Sequence, residues 1–79
     1  MRIRKNIAVS EEGFLFNPTT GDSFSTNGIG ALIIRLLKQD KTLSEITEAI
    51  CEEYDADRLL AERDVEEFAS LLKEHSILD

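Results

Sequence analysis

The chain has 79 residues, 42% hydrophobic and 32% charged, and nine Lys/Arg against sixteen Asp/Glu leave a net charge of −7. A chain this short buries only about 60% of its unfolded surface, which leaves a thin core and works against an enclosed pocket for a large substrate. The longest apolar run, Ala31 to Ile34, cannot span a bilayer, MRIRKNIAVS lacks the apolar region and cleavage site of a signal peptide, and the single Cys51 excludes an internal disulfide, so one cytoplasmic domain (residues 1–79) is expected.

Taken in order, the N-terminal quarter reads as strands. In IRKNIAV, Ile3, Ile7 and Val9 recur with Lys5 breaking an otherwise two-residue period. GFLFN places Phe14 and Phe16 on one face and Leu15 on the other. PTTGD supplies a turn, with Pro18 fixing φ and Gly21 free to take φ > 0, and DSFS follows as a third short strand. Thr26 or Asn27 then suits the N-cap of a first helix through GIGALIIRLLKQ, whose stripe is Ile29, Leu32, Ile33, Leu36 and Leu37, widened by Ile34.

TLSE has the Thr-x-x-Glu spacing of a capping box and starts a second helix that turns Leu43, Ile46, Ile50 and Tyr54 inward. YDADR ends it. A third helix falls within Leu59 to His75, with Val65, Phe68, Ala69 and Leu72 inward, and SILD closes the chain as a tail or short strand. The expected fold class is α+β and winged-helix-like, an N-terminal three-stranded antiparallel β-meander followed by three α-helices.

Charge is uneven along this order. Residues 1–41 sum to +2 and residues 42–79 to −9. An acidic field repels phosphate backbones, and no Lys/Arg stripe follows any helix, so nucleic acid is not the expected partner. A DNA-binding winged helix is the alternative that the element order suggests, but its third helix would bring Asp64, Glu66 and Glu67 to the phosphates.

Signals for chemistry are sparse. Gly21-Asp22-Ser23-Phe24 has the look of a prosthetic-group attachment serine, yet strand-like sequence precedes it and no acidic helix follows. The sole histidine, His75, suits the dipole of a helix end, and no basic neighbour in sequence activates Cys51. The acidic residues lack calcium-loop spacing, and Gly28-Ile29-Gly30 lacks the third glycine of a dinucleotide loop. No enzyme activity, cofactor or metal is expected.

Three segments, LFNPTTGDSFSTNGIGALIIRLL, KTLSEITEAICEEYDAD and RDVEEFASLLKEHSIL, together resemble the PqqD-like family of peptide-recognition domains over roughly residues 7–78. Two departures stand at turns, Ser76 and Gln39-Asp40, where family members usually carry Gly. The resemblance implies a non-catalytic peptide chaperone. It would bind the leader of a ribosomally made precursor and present it to a maturation enzyme, often of the radical S-adenosylmethionine type, in pyrroloquinoline quinone or related biosynthesis. It also implies a leader added as a β-strand to strand three, at Asp22, Ser23, Phe24 and Ser25, with Asp64, Glu67, Phe68 and Leu71 as candidates on helix three.

The residues supply a reason, since an open edge beside a groove offers main-chain pairing plus side-chain selection. Leu71 lies about 100° around the helix from Leu72, so it can face a peptide or widen the core. Asp64 and Glu67 share its side, as ligands for Lys or Arg or as a solvated face. A small interaction module without a leader partner is a further alternative. The chain is a monomer or, through the same open edge, a homodimer.

Overall fold

In the computed structural model, which describes residues 2–26 and 28–79, three strands precede three helices: β1 (Ala8–Val9), β2 (Phe14–Asn17), β3 (Asp22–Ser25), α1 (Gly28–Lys38), α2 (Leu43–Tyr54) and α3 (Arg58–Glu74). The strands form one antiparallel sheet in the order β1-β2-β3. This is the expected α+β meander followed by helices.

The two-residue period of FLFN sets the sheet's faces. Leu15 and Asn17 turn into the protein, while Phe14 and Phe16 stand 57% and 44% exposed on the outer face. Asn17 is tolerated inside because its Oδ1 accepts from the Thr19 N–H at 3.0 Å. Its backbone carbonyl accepts from Gly21 at 2.8 Å, and Gly21 (φ 80°) returns the chain into β3.

β1 is far shorter than IRKNIAV suggested. Ile3 and Ile7 are both buried, but a turn closed by the Ile7 N–H on the Arg4 carbonyl (3.1 Å) separates them. Ile3 instead makes an isolated antiparallel bridge with Leu78. Arg4 donates to the Ile77 carbonyl at 2.9 Å and Asp79 to that of Arg2 at 3.0 Å. The apolar spacing therefore recorded burial, and SILD serves as the partner of the N-terminal segment.

α1 buries Leu32, Ile33, Ile34 and Leu37, with Leu36 packed at their margin. Ile29, assigned to the same stripe by its spacing, is 38% exposed. Of the two cap candidates, Thr26 donates its hydroxyl to the Gly13 carbonyl at 2.9 Å instead, and Asn27 lies outside the described residues.

α2 begins at the capping box read from TLSE. The Thr42 hydroxyl accepts from Glu45 N (3.1 Å) and the Glu45 carboxylate from Thr42 N (2.9 Å). Ile46 and Ile50 are buried, but Tyr54 is 44% exposed. It is the last residue of α2, and the left-handed Asp55 (φ 51°) turns the chain away there. Asp57 then caps α3 by accepting from Leu59 and Leu60.

The Thr42 backbone N–H, with its hydroxyl adding to the effect, lowers the Glu45 pKa below its ordinary value. A carboxylate depressed in the folded state stabilises above its unfolded pKa, and that contribution is lost as pH falls through the folded pKa. Glu45→Gln keeps a capping-box acceptor without the charge. Its thermal midpoint is therefore expected to depend less on pH across the acid range than that of the parent chain, as unfolding at several acidic pH values will show.

Both turns where Gly was expected have a physical explanation. After α3, Ile77 N–H reaches the Leu72 carbonyl (2.9 Å) and Ser76 N–H that of Lys73 (3.1 Å). After α1, Lys41 reaches Leu36 (3.1 Å) and Asp40 reaches Leu37 (3.0 Å). These are paired Schellman closures, whose pivot is left-handed and favours Gly. Here the pivots are Ser76 (φ 60°) and Asp40 (φ 61°). Ser76→Gly is expected to raise stability by about 1 kcal/mol by relieving the side-chain penalty of that conformation, measurable as a higher denaturant midpoint.

Candidate functional site

The site is the free side of β3 and the groove beside it. β3 pairs only with β2 among the described residues, so its other side is open. The register fixes which groups face out. Phe14 turns its main chain to the β1 side, its carbonyl accepting from the N–H of Ser10, just past β1, at 2.9 Å, whereas the Gly13 carbonyl accepts from Thr26 N at 3.1 Å. Main-chain groups of successive strand residues alternate sides. Leu15 therefore faces β3, and its partner Phe24 faces back. Ser23 and Ser25 direct their N–H and C=O to the open side. Asp22 sits at the loop end, its N–H on the Thr20 hydroxyl at 3.2 Å.

Side chains alternate in the other plane. Ser23 and Ser25 pair with Phe16 and Phe14 and stand on the outer face. Phe24 points inward, half-buried, and its ring lies 4.9 Å from that of His75 at the end of α3. His75 thus packs on β3 as well as terminating a helix.

Ser25, Asp64, Glu67, Phe68 and Leu71 line a common open groove of about 500 Å³. Asp22, Ser23 and Phe24 lie on the adjoining strand and do not line it. Along α3, Ala61, Val65, Ala69 and Leu72 are buried toward the core, while Leu71 is 47% exposed. Leu71 faces the groove and does not widen the core. Phe68 is half-buried between the two.

Thr26, Ile29, Gly30 and Ile33 complete the lining, and sequence reasoning did not select them. The nearest signal was the unusual width of the α1 stripe. Asp64 and Glu67 are exposed on the groove wall, and among the described residues no Lys, Arg or His lines it. Among the described residues the ion pairs are Arg2–Asp40, Arg4–Asp79 and Arg58–Glu48, none involving a groove residue. The groove is thus apolar in its floor and negative on one wall.

An open strand edge flanked by a groove with an apolar floor is the geometry of a domain that accepts an added strand. The chain belongs to the PqqD family: the family model, coenzyme PQQ synthesis protein D, matches residues 12–78. Two solved chains are close in structure and sequence. One, described as TbiB1 in complex with the TbiA(beta) leader peptide, has a TM-score of 0.91 and 33% identity, over 100% of this chain and 95% of that one. Another, described as lasso peptide synthetase B1 complexed with the leader peptide, has a TM-score of 0.84 and 28% identity, over 94% of this chain and 91% of that one. No curated protein sequence is similar enough to count as a relative.

Proposed function

We propose that this chain is a non-catalytic recognition domain that binds the leader of a ribosomally made precursor peptide and presents it to a maturation enzyme in the cytoplasm. The leader adds as a strand to the open side of β3, pairing with the main chain of Ser23 and Ser25. Its inward side chains rest on Phe68 and Leu71, with Asp64 and Glu67 beside them. Asp22 and Phe24 shape the strand without touching the leader's main chain. The observation that carries this reading is the coincidence of an unpaired edge and an exposed Leu71 in a groove next to it. Two leader-bound solved chains of the same fold support it. A radical S-adenosylmethionine enzyme, as in pyrroloquinoline quinone assembly, is the partner that the family suggests.

The test is a titration with synthetic leader and core halves of precursor peptides encoded near the gene. The leader half is expected to bind and the core half not. Leu71→Asp, which places a charge on the apolar contact, is expected to weaken leader binding roughly tenfold or more. Equal binding of both halves, or of neither, contradicts the proposal.

A further inference from the structure

The α3 wall of the groove carries two pairs of side chains with identical spacing. Asp64 and Glu67 form an acidic pair, and Phe68 and Leu71 an apolar one. Each acidic residue precedes its apolar counterpart by four positions. On a helix that is a displacement of about 6 Å along the axis, with about 40° of rotation. In an extended peptide, side chains on one face recur every second residue, at about 6.6 Å. The two repeats match, so neighbouring inward side chains of one strand meet the acidic pair and the apolar pair in turn.

The direction follows from β3. Phe24 lies against His75, past the end of α3, whereas Ser25 and Thr26 share the groove with Asp64, Glu67, Phe68 and Leu71, all earlier along α3. β3 therefore runs toward the N-terminal part of α3. The sheet is antiparallel throughout, and antiparallel pairing is the more stable kind per residue. A strand added in that sense runs along α3 from its N-terminal to its C-terminal part and reaches the acidic pair first.

We infer, resting on the leader-binding reading, that the groove selects leaders in which a Lys or Arg stands two positions before a bulky apolar residue. The chemistry is complementary. Among the described residues no cation lines the groove, and the net charge of −7 favours a basic ligand at longer range. Asp64 and Glu67 act here as specificity-determining residues, while Phe68 and Leu71 supply the contact that any leader uses.

A random twelve-residue peptide library displayed on phage and selected on the intact chain tests this. The expected enrichment is Lys or Arg, any residue, then Leu, Ile, Phe, Met or Tyr. Selection on the Asp64→Lys, Glu67→Lys double variant is expected to replace the basic residue with Asp or Glu and to leave the apolar position unchanged. Both substituted side chains are exposed, and circular dichroism and the thermal midpoint check that the variant is folded. A basic peptide selected on the parent chain should bind the reversed variant about tenfold more weakly at low salt, with a smaller difference at high salt. The neutral Asp64→Asn, Glu67→Gln pair should fall between them. Apolar enrichment without a charge preference, or a preference that charge reversal leaves intact, overturns the inference and spares the leader-binding reading. Failure of both proteins to enrich any peptide overturns both.

Discussion

Ser25→Pro is expected to weaken leader binding at least about 100-fold while the domain stays folded. Ser25 points its N–H to the open side of β3, so proline there removes no rung of the β2–β3 ladder. Edge strands accept proline where the N–H faces solvent. The substitution deletes one donor to the leader and leaves a leader carbonyl unsatisfied, at about 1–3 kcal/mol. The ring also occupies the space where the added strand must lie, and together these reach about 3 kcal/mol, or about 100-fold. Phe24→Pro is a poorer experiment, because Phe24 faces Leu15 and its loss breaks the sheet itself. A titration of Ser25→Pro with the leader half, beside its far-ultraviolet spectrum, checks both parts of the prediction.

Gly13→Ala is expected to cost about 2–4 kcal/mol of a total stability of about 4–12 kcal/mol for a chain this size. Gly13 has φ 93°, and a Cβ there would meet the Thr26 Oγ1 and come within 2.9 Å of the Ala31 Cβ. Its carbonyl also accepts from both the backbone N–H and the hydroxyl of Thr26. Gly13 therefore holds the β1–β2 turn against the start of α1, and Thr26 lines the groove. Denaturant unfolding reads the stability loss. Any folded fraction is also expected to bind leader less tightly than the parent chain, because Thr26 moves with the turn.

Local chemistry made much of this fold legible. Thr42 and Glu45 announced α2 because a capping box is a contact between residues three apart, and the alternation of FLFN and DSFS gave the two longer strands. Contacts between distant segments were less readable. Ile3 looked like a strand residue because it is buried, but its burial comes from a bridge to Leu78 at the other end of the chain. Thr26 has the side chain of a cap, and its hydroxyl goes to Gly13, thirteen residues earlier. Ser76 and Asp40 stood out as departures from glycine, and their left-handed backbone gives the physical reason glycine is favoured there.

The groove divides in the same way. Leu71 was visible as a candidate because it falls off the α3 stripe, and Asp64 and Glu67 followed from its side of the helix. Ile29 and Ile33 were invisible as lining residues because their spacing assigns them to the α1 core stripe, and only the groove that α1 shares with α3 gives them a second role.

Hydrogen exchange at individual backbone amides of β3, with and without the leader peptide, tests the central claim most directly. The Phe24 N–H is committed to β2 in either state, while those of Ser23 and Ser25 face outward. Saturating leader is expected to slow exchange sharply at Ser23 and Ser25 and to change Phe24 little. Binding that leaves the Ser23 and Ser25 amides exchanging at their free rate contradicts strand addition at this edge.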